Sequence, residues 1–289
     1  MRFEALGPLS VVTDEGRVHL RPAQRRLLAS MLLDAATEIG TDKLIDRMWA
    51  DAAPPTARNT LHSHMSSLRQ RLPGIIESGS DWYRLELNGH EFDVPDFAHL
   101  AAEAAELLGA GEVHRAQCGA EETLVMWRGD PYPELIDVDA ARGERARLTE
   151  LYLSAAATLG QALKLQGRLP ESISFLQRLV AEHPLNEVFW EHLVHGLYLA
   201  GRQADALTAY RDARDLLGKE LGVEPGPRLQ EMEGKILIHH PGLGTRPTST
   251  PLAKLPDYRT SFVGRDDDLS GVVDLLAKHP LVSITGGPG

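Results

Sequence analysis

The spacing of hydrophobic residues along this chain changes several times, and each change predicts an element. Arg2-Phe3-Glu4-Ala5-Leu6 and Ser10-Val11-Val12, on either side of Gly7-Pro8, read as two short strands. Pro22 opens a helix with Leu27, Leu28, Met31 and Leu32 as its apolar positions. A second helix starts at Thr41-Asp42, read as an N-cap threonine followed by an acid in the first turn. Leu44, Ile45, Met48 and Trp49 give it an apolar face, and it must end near Asp51 because Pro54 and Pro55 cannot continue it. From Ala52 to Ile76 the chain reads as one amphipathic helix. Its apolar stripe is Ala57, Leu61, Met65, Leu68 and Leu72, at spacings of three and four. Arg58, Asn59, His62, Ser63, Ser66, Arg69 and Gln70 face away from that stripe. Ile75-Ile76 and the run from Trp82 to Leu87 flank a Ser-Gly-Ser-Asp turn and predict a hairpin. Short helix, loop, amphipathic helix and hairpin make a helix-turn-helix followed by a wing.

Beyond Asp96 the pattern is helical almost throughout. Ala98 to Leu108 is rich in Ala, Glu and Leu, and Arg142 to Gln166 carries Leu148, Leu151, Tyr152, Ala155, Leu159 and Leu163 on one face. Gly167-Arg168 and Gly201-Arg202 each precede a further helix, and the two glycines lie about 34 positions apart, the tetratricopeptide period. A glycine there permits the tight turn between antiparallel helices. Residues 96 to 240 therefore read as a solenoid-like bundle, a surface for proteins or ligands.

Charge changes this picture. The 289-residue chain has a formal net charge of −11, yet Ala52–Ile76 holds three arginines and no Asp or Glu. Arg, Asn, Gln, Ser and His are side chains that hold phosphates and read base edges. Their concentration on one helix of an acidic protein suggests that the helix is offered to a polyanion. Excess acid, as in Glu231-Met232-Glu233 and Asp266-Asp267-Asp268, lies in the second half, which confines DNA contact to a local face. The single cysteine, Cys118, allows no intrachain disulfide and fits a reducing cytosol. The start, Met1-Arg2-Phe3-Glu4, shows no signal-peptide pattern, and no apolar run reaches membrane-spanning length. The expected location is cytoplasmic. No Ser/His/Asp order, zinc spacing or carboxylate pair marks a catalytic or metal site, and His239-His240 has no matching ligands.

Taken together, the N-terminal elements resemble the OmpR-type winged helix, and their details resemble the SARP transcriptional activators, the antibiotic regulatory proteins of actinobacteria. The matching residues are Leu6-Gly7-Pro8, Pro22 to Ala29, Leu44 to Trp49, Pro54-Pro55-Thr56-Ala57 and Leu68 to Leu72. Later stretches resemble that family's bacterial transcriptional activation domain: Asp93 to Phe97, Trp127 to Tyr132, His183 to Glu187, Gly201 to Leu207 and Glu220 to Pro227. The resemblance implies a mainly α protein with small β, divided into an OmpR-type winged helix (1–95), a tetratricopeptide-like activation domain (96–240), a linker (241–256) and an ATPase fragment (257–289). It implies side-by-side protomers on direct repeats near promoter −35 elements, recruitment of RNA polymerase holoenzyme with its sigma factor, and control of secondary-metabolite (antibiotic) genes. On the arginine helix, Arg58, Asn59, His62, Ser63 and Ser66 are the expected groove-facing residues, with Arg69 and Arg71 nearer phosphates. Thr41 and Lys43 are expected phosphate contacts at a helix N-terminus, and Arg84 on the wing is expected to reach a phosphate or the minor groove. Residues 1–95 are expected to fold alone and to bind DNA more weakly than 1–240.

The last segment resembles the start of the STAND-type (NB-ARC) ATPase domain of larger SARP regulators. A strand pattern, Leu281 to Thr285, runs into Gly286-Gly287-Pro288-Gly289. A P-loop also needs a Lys for the β/γ-phosphates and a Ser/Thr for magnesium. The chain ends before either, so it reads as truncated. The incomplete loop of Gly286, Gly287 and Gly289 is expected to bind neither ATP nor magnesium, although a full-length parent could use both. Two other function classes are weighed against DNA binding. A signalling ATPase is disfavoured by the missing P-loop residues, and a helical-repeat adaptor without a DNA role is disfavoured by the acid-free helix.

Overall fold

Two small sheets frame a three-helix unit at the N-terminal end. The computed structural model describes residues 1–244; the rest of the linker and the segment 257–289, with its glycine-rich end, lie outside the described residues. β1 (Arg2–Glu4) pairs antiparallel with β2 (Ser10–Thr13), which pairs with β3 (Gly16–Arg17). Three helices follow: α1 (Pro22–Leu32), α2 (Thr41–Trp49) and α3 (Ala57–Arg71). β4 (Ile39–Gly40) leads into α2 and pairs with β6 (Trp82–Leu85), which also pairs with β5 (Ile76–Ser78) to form the hairpin. β7 (Glu91–Phe92) returns to lie parallel to β1.

The structure departs from the sequence pattern at two helix starts. α3 begins at Ala57, five residues after the expected Ala52, and ends at Arg71. Ala50–Ala52 forms a separate 3₁₀ turn, and Leu72 leaves the helical region ahead of Pro73. Thr41 is not the N-cap of α2. That place falls to Gly40, which is held in extended conformation by the β4–β6 pairing. Thr41 is the first helical residue, buried beneath the hairpin, and its backbone N–H donates to the Asp81 carbonyl at 3.0 Å.

Most of the remaining described residues lie in seven α-helices: α4 (Asp93–Gly109), α5 (Val113–Met126), α6 (Asp139–Leu165), α7 (Leu169–Glu182), α8 (Glu187–Leu199), α9 (Gln203–Leu221) and α10 (Pro227–Leu237). Gly167 and Gly201, which end α6 and α8, both sit at φ +76°. An L side chain is strained in that left-handed region, so the repeated glycine supplies the turn that the 34-residue period requires.

The hydrophobic core does not stop at residue 95. Phe97, Tyr132, Leu135, Ala141 and Leu148 are buried in one cluster with Phe3, Leu6, Leu27, Leu28, Leu44 and Leu61. The Asp93 carboxylate, at the start of α4, accepts from the N–H groups of Ala5 (2.8 Å) and Leu6 (3.1 Å) and ties that helix to the N-terminal sheet. Further bonds cross the boundary itself. Arg128 N–H donates to Leu6 O and Tyr132 N–H to Ala5 O. Arg26 donates to both carboxylate oxygens of Asp137 and to the Glu134 carbonyl. Rings continue the contact outward: Phe97 against Trp127 (5.6 Å), Trp127 stacked on Tyr152 (4.7 Å), Tyr152 against His183 and His183 against Phe189.

A second core, formed by α7 to α10 with the end of α6, contains a cluster of bases. Lys164 Nζ lies 3.1 Å from His195 Nδ1 and 3.5 Å from His192 Nδ1, and His195 Nε2 lies 3.0 Å from the Leu243 carbonyl. The lysine can only donate, so His195 accepts at Nδ1 and donates from Nε2 to Leu243. Burial, reinforced by the Lys164 charge, lowers His192 from its ordinary 6.5 to about 3. Between those values the unfolded chain binds the proton and the folded chain does not. The resulting stability is present above about pH 6.5 and is lost as pH falls toward 3. Urea titrations should therefore show the chain about 2 kcal/mol less stable at pH 5 than at pH 7 from this group alone. His192→Leu should flatten that dependence; an unaltered pH slope in the variant would remove His192 as its source.

Candidate nucleic-acid interface

With about 100° per residue, α3 divides lengthwise into four strips. Ala57, Leu61, Met65 and Leu68 point into the core and are buried, as the apolar spacing requires. Opposite them lie Asn59, Ser63, Ser66 and Gln70, all exposed. Ser63 Oγ donates back to the Asn59 carbonyl at 3.0 Å, which leaves the hydroxyl oxygen as an acceptor. Gln70 closes this strip at its C-terminal end and is as exposed as its other members. Its place in the helical period was the available signal, although the expected site omits it.

The third strip, Arg58, His62 and Arg69, turns toward the hairpin. Arg58 is held between two carboxylates, Asp42 on α2 at 2.7 Å and Asp81 in the hairpin turn at 2.6 Å. The Asp81 carboxyl is held below its usual range first by the hydrogen bond from the Arg58 guanidinium and next by one from Thr41. His62 Nδ1 lies 2.7 Å from the Tyr83 hydroxyl. Arg69 donates to Ser78 Oγ at 2.7 Å and lies over the Tyr83 ring, 5.7 Å from its centroid. The fourth strip, with Ser67 and Arg71, turns toward α1. Gln24 donates to Ser67 Oγ at 2.8 Å, and Arg71 donates to the His19 carbonyl at 2.7 Å.

The remaining expected contacts sit at the edges. Lys43, in the first turn of α2, is exposed and pairs with Asp34, which also pairs with Arg47. Arg84 pairs with Glu77 across the hairpin and lies over the Trp82 ring. Thr41 is buried and its N–H is occupied, so neither its side chain nor its own N–H is offered to a phosphate. The α3 sequence is acid-free, but its surroundings are not: Asp42, Asp81 and Glu77 come from elsewhere in the chain.

The result is a neutral polar strip flanked by cations on both sides, Arg58 and Arg69 on one, Arg71 on the other. Chemically it can place amide and hydroxyl groups against base edges while guanidinium groups reach the two phosphate walls of a groove. Among the described residues, no cluster of three or more His, Cys, Asp or Glu has the geometry to hold a metal ion. Nor is any helix there long and apolar enough to cross a membrane.

Residues 92–237 match the family model of the bacterial transcriptional activator domain. Transcriptional regulator RedD of Streptomyces coelicolor is 36% identical over 256 residues, an alignment covering 84% of this chain and 72% of that protein. Regulatory protein AfsR of the same organism is 34% identical over 297 residues; the match takes in 99% of this chain and spans 30% of AfsR. Among solved structures, Mycobacterium tuberculosis EmbR in complex with a low affinity phosphopeptide superposes with a TM-score of 0.77 at 31% identity, over 82% of this chain and 65% of that one.

Proposed function

The chain belongs to the SARP family of transcriptional activators, and on that premise we propose that it binds promoter DNA sequence-specifically through α3 lying in the major groove. The observation that carries this is the strip pattern of α3: Asn59, Ser63, Ser66 and Gln70 outward, with arginines on either flank. An amphipathic helix that served only to cover the core would have no need of that order. A major groove admits a helix and presents donors and acceptors that amide and hydroxyl groups can match. Phosphate contacts on both walls fix its register.

Lys43 and Arg84 are proposed as outlying phosphate contacts, and the hairpin β5–β6 as the wing. The helical part from α4 onward is proposed to hold neighbouring protomers side by side on direct repeats near −35 elements and to engage RNA polymerase holoenzyme with its sigma factor. Genes of secondary-metabolite (antibiotic) biosynthesis are the proposed targets. The family consists of transcriptional regulators, not enzymes, and no cofactor is proposed for the described residues.

Alanine substitution tests the two kinds of contact separately. Arg71→Ala should weaken binding to specific and random duplexes by similar factors and reduce the salt slope by about one. Arg69→Ala should do the same, but it also frees Ser78 of the hairpin, so Arg71 is the cleaner probe. Asn59→Ala or Ser63→Ala should alter sequence preference, by roughly 1–3 kcal/mol at the affected base pair if a good contact is lost. Anisotropy titrations at several salt concentrations and binding-site selection provide the readouts. An unchanged consensus for both variants would remove Asn59 and Ser63 from the reading surface.

A further inference from the structure

His62 differs from the other exposed residues of α3 in having a buried partner. Tyr83, on the central strand β6, is 4% exposed, and its hydroxyl makes its one hydrogen bond among the described residues with His62 Nδ1. The rings meet at a tilt of 59° with centroids 6.2 Å apart. Burial raises the Tyr83 phenol above its usual range, so the hydroxyl keeps its proton. If His62 Nδ1 carried a hydrogen, the phenol would have to accept it, and its own proton would be left without an acceptor in a buried place. Leaving a buried donor unmade is the costly alternative. The phenol therefore donates to Nδ1, and the imidazole hydrogen sits on Nε2. His62 itself is exposed, and its Nε2 has no bond to any described residue.

We propose that Tyr83 is a positioning residue that fixes His62 as a hydrogen-bond donor, so that His62 reads an acceptor edge in the major groove, best matched by the paired O6 and N7 acceptors of guanine. This rests on the reading of α3 as the DNA-facing helix and adds a residue outside that helix to its specificity. A free imidazole could offer either a donor or an acceptor at Nε2 by exchanging tautomers. The Tyr83 hydroxyl removes that choice. Because β6 is pinned between β4 and β5, the phenol also fixes the direction in which Nε2–H points. Arg69, over the face of the same ring, is placed by Tyr83 in a second way that does not involve the hydroxyl.

The hydroxyl can be removed while the ring stays. In Tyr83→Phe the buried ring and its contact with Arg69 remain, and no charge changes. Binding-site selection on randomised duplexes is expected to show one position per half-site losing its guanine preference by about fivefold, the worth of one hydrogen bond. Affinity for random duplex should stay within about twofold. His62→Ala should lose the same preference, and adding Tyr83→Phe to it should change nothing more. Nitrogen-15 shifts of His62 in the DNA-free chain supply the second readout: the Nε2–H tautomer in the wild type, and a mixture in Tyr83→Phe. An Nδ1–H tautomer in the wild type would overturn the proposal. So would a Tyr83→Phe consensus identical to the wild type, or an equal effect of Tyr83→Phe in the His62→Ala background. Failure of the underlying reading looks different, since the wild-type chain would then show no salt-dependent duplex binding at all.

Discussion

A chain ending at residue 95 should fail to fold cooperatively, in contrast to the expectation from sequence that the winged helix stands alone. Phe97, Tyr132, Leu135 and Leu148 fill the same core as the three N-terminal helices, and all four are essentially inaccessible to solvent. Losing each costs on the order of 1.5–3 kcal/mol, or roughly 6–12 kcal/mol together, against a typical total stability of about 5–15 kcal/mol. The N–H donors of Arg128 and Tyr132 to Leu6 O and Ala5 O, and the Glu134 carboxylate that accepts the Leu9 N–H, would go with them. Circular dichroism melts of residues 1–95 and 1–244 compare the two directly. The longer chain should melt in a single sharp transition and the shorter should give a broad one or none. A sharp transition for 1–95 within a few degrees of the longer chain would show that the shared core is dispensable.

The second large effect is expected at the carboxylates around Arg58. Asp42→Asn with Asp81→Asn should tighten binding to specific and random duplexes alike, by about tenfold at low salt, and steepen the salt slope by about one. Both acids are exposed, so parting them from Arg58 costs little. While present they occupy the guanidinium and set negative charge beside an approaching phosphate. Their removal frees a cation and ends a repulsion. Thermal stability should hardly move, because exposed ion pairs contribute little. Weaker DNA binding by the double variant would mean that the clamp is needed to seat the hairpin against α3.

Much of this arrangement was legible in the chain. The stripe from Ala57 to Leu72 follows the helical period, and burial at every third or fourth residue leaves the polar side no other place. Gly167 and Gly201 were legible because a left-handed turn admits few residues besides glycine. The helix start at Ala57 was not, since the apolar spacing says nothing about where Pro54, Pro55 and Thr56 release the chain into its first turn. Nor was the burial of Thr41, which depends on a two-residue strand too short to show alternation. The clamp on Arg58 joins residues 16 and 23 positions away, and the Tyr83–His62 bond spans 21. No local pattern reports such pairings, because folding of the hairpin onto α3 creates them. The same holds for the core that α4 and α6 share with the N-terminal sheets: each segment is amphipathic, but its counterpart is chosen by topology.

Methylation interference on a bound promoter reads out whether the outer strip of α3 lies in a major groove. Methyl groups on guanine N7 stand in the major groove, whereas those on adenine N3 stand in the minor groove. N7 methylation should block binding at one cluster of guanines in each repeat, and Asn59→Ala or His62→Ala should remove the interference at individual positions within the cluster. Interference confined to adenine N3, or none at guanine N7 in a duplex the chain demonstrably binds, would contradict that placement of α3.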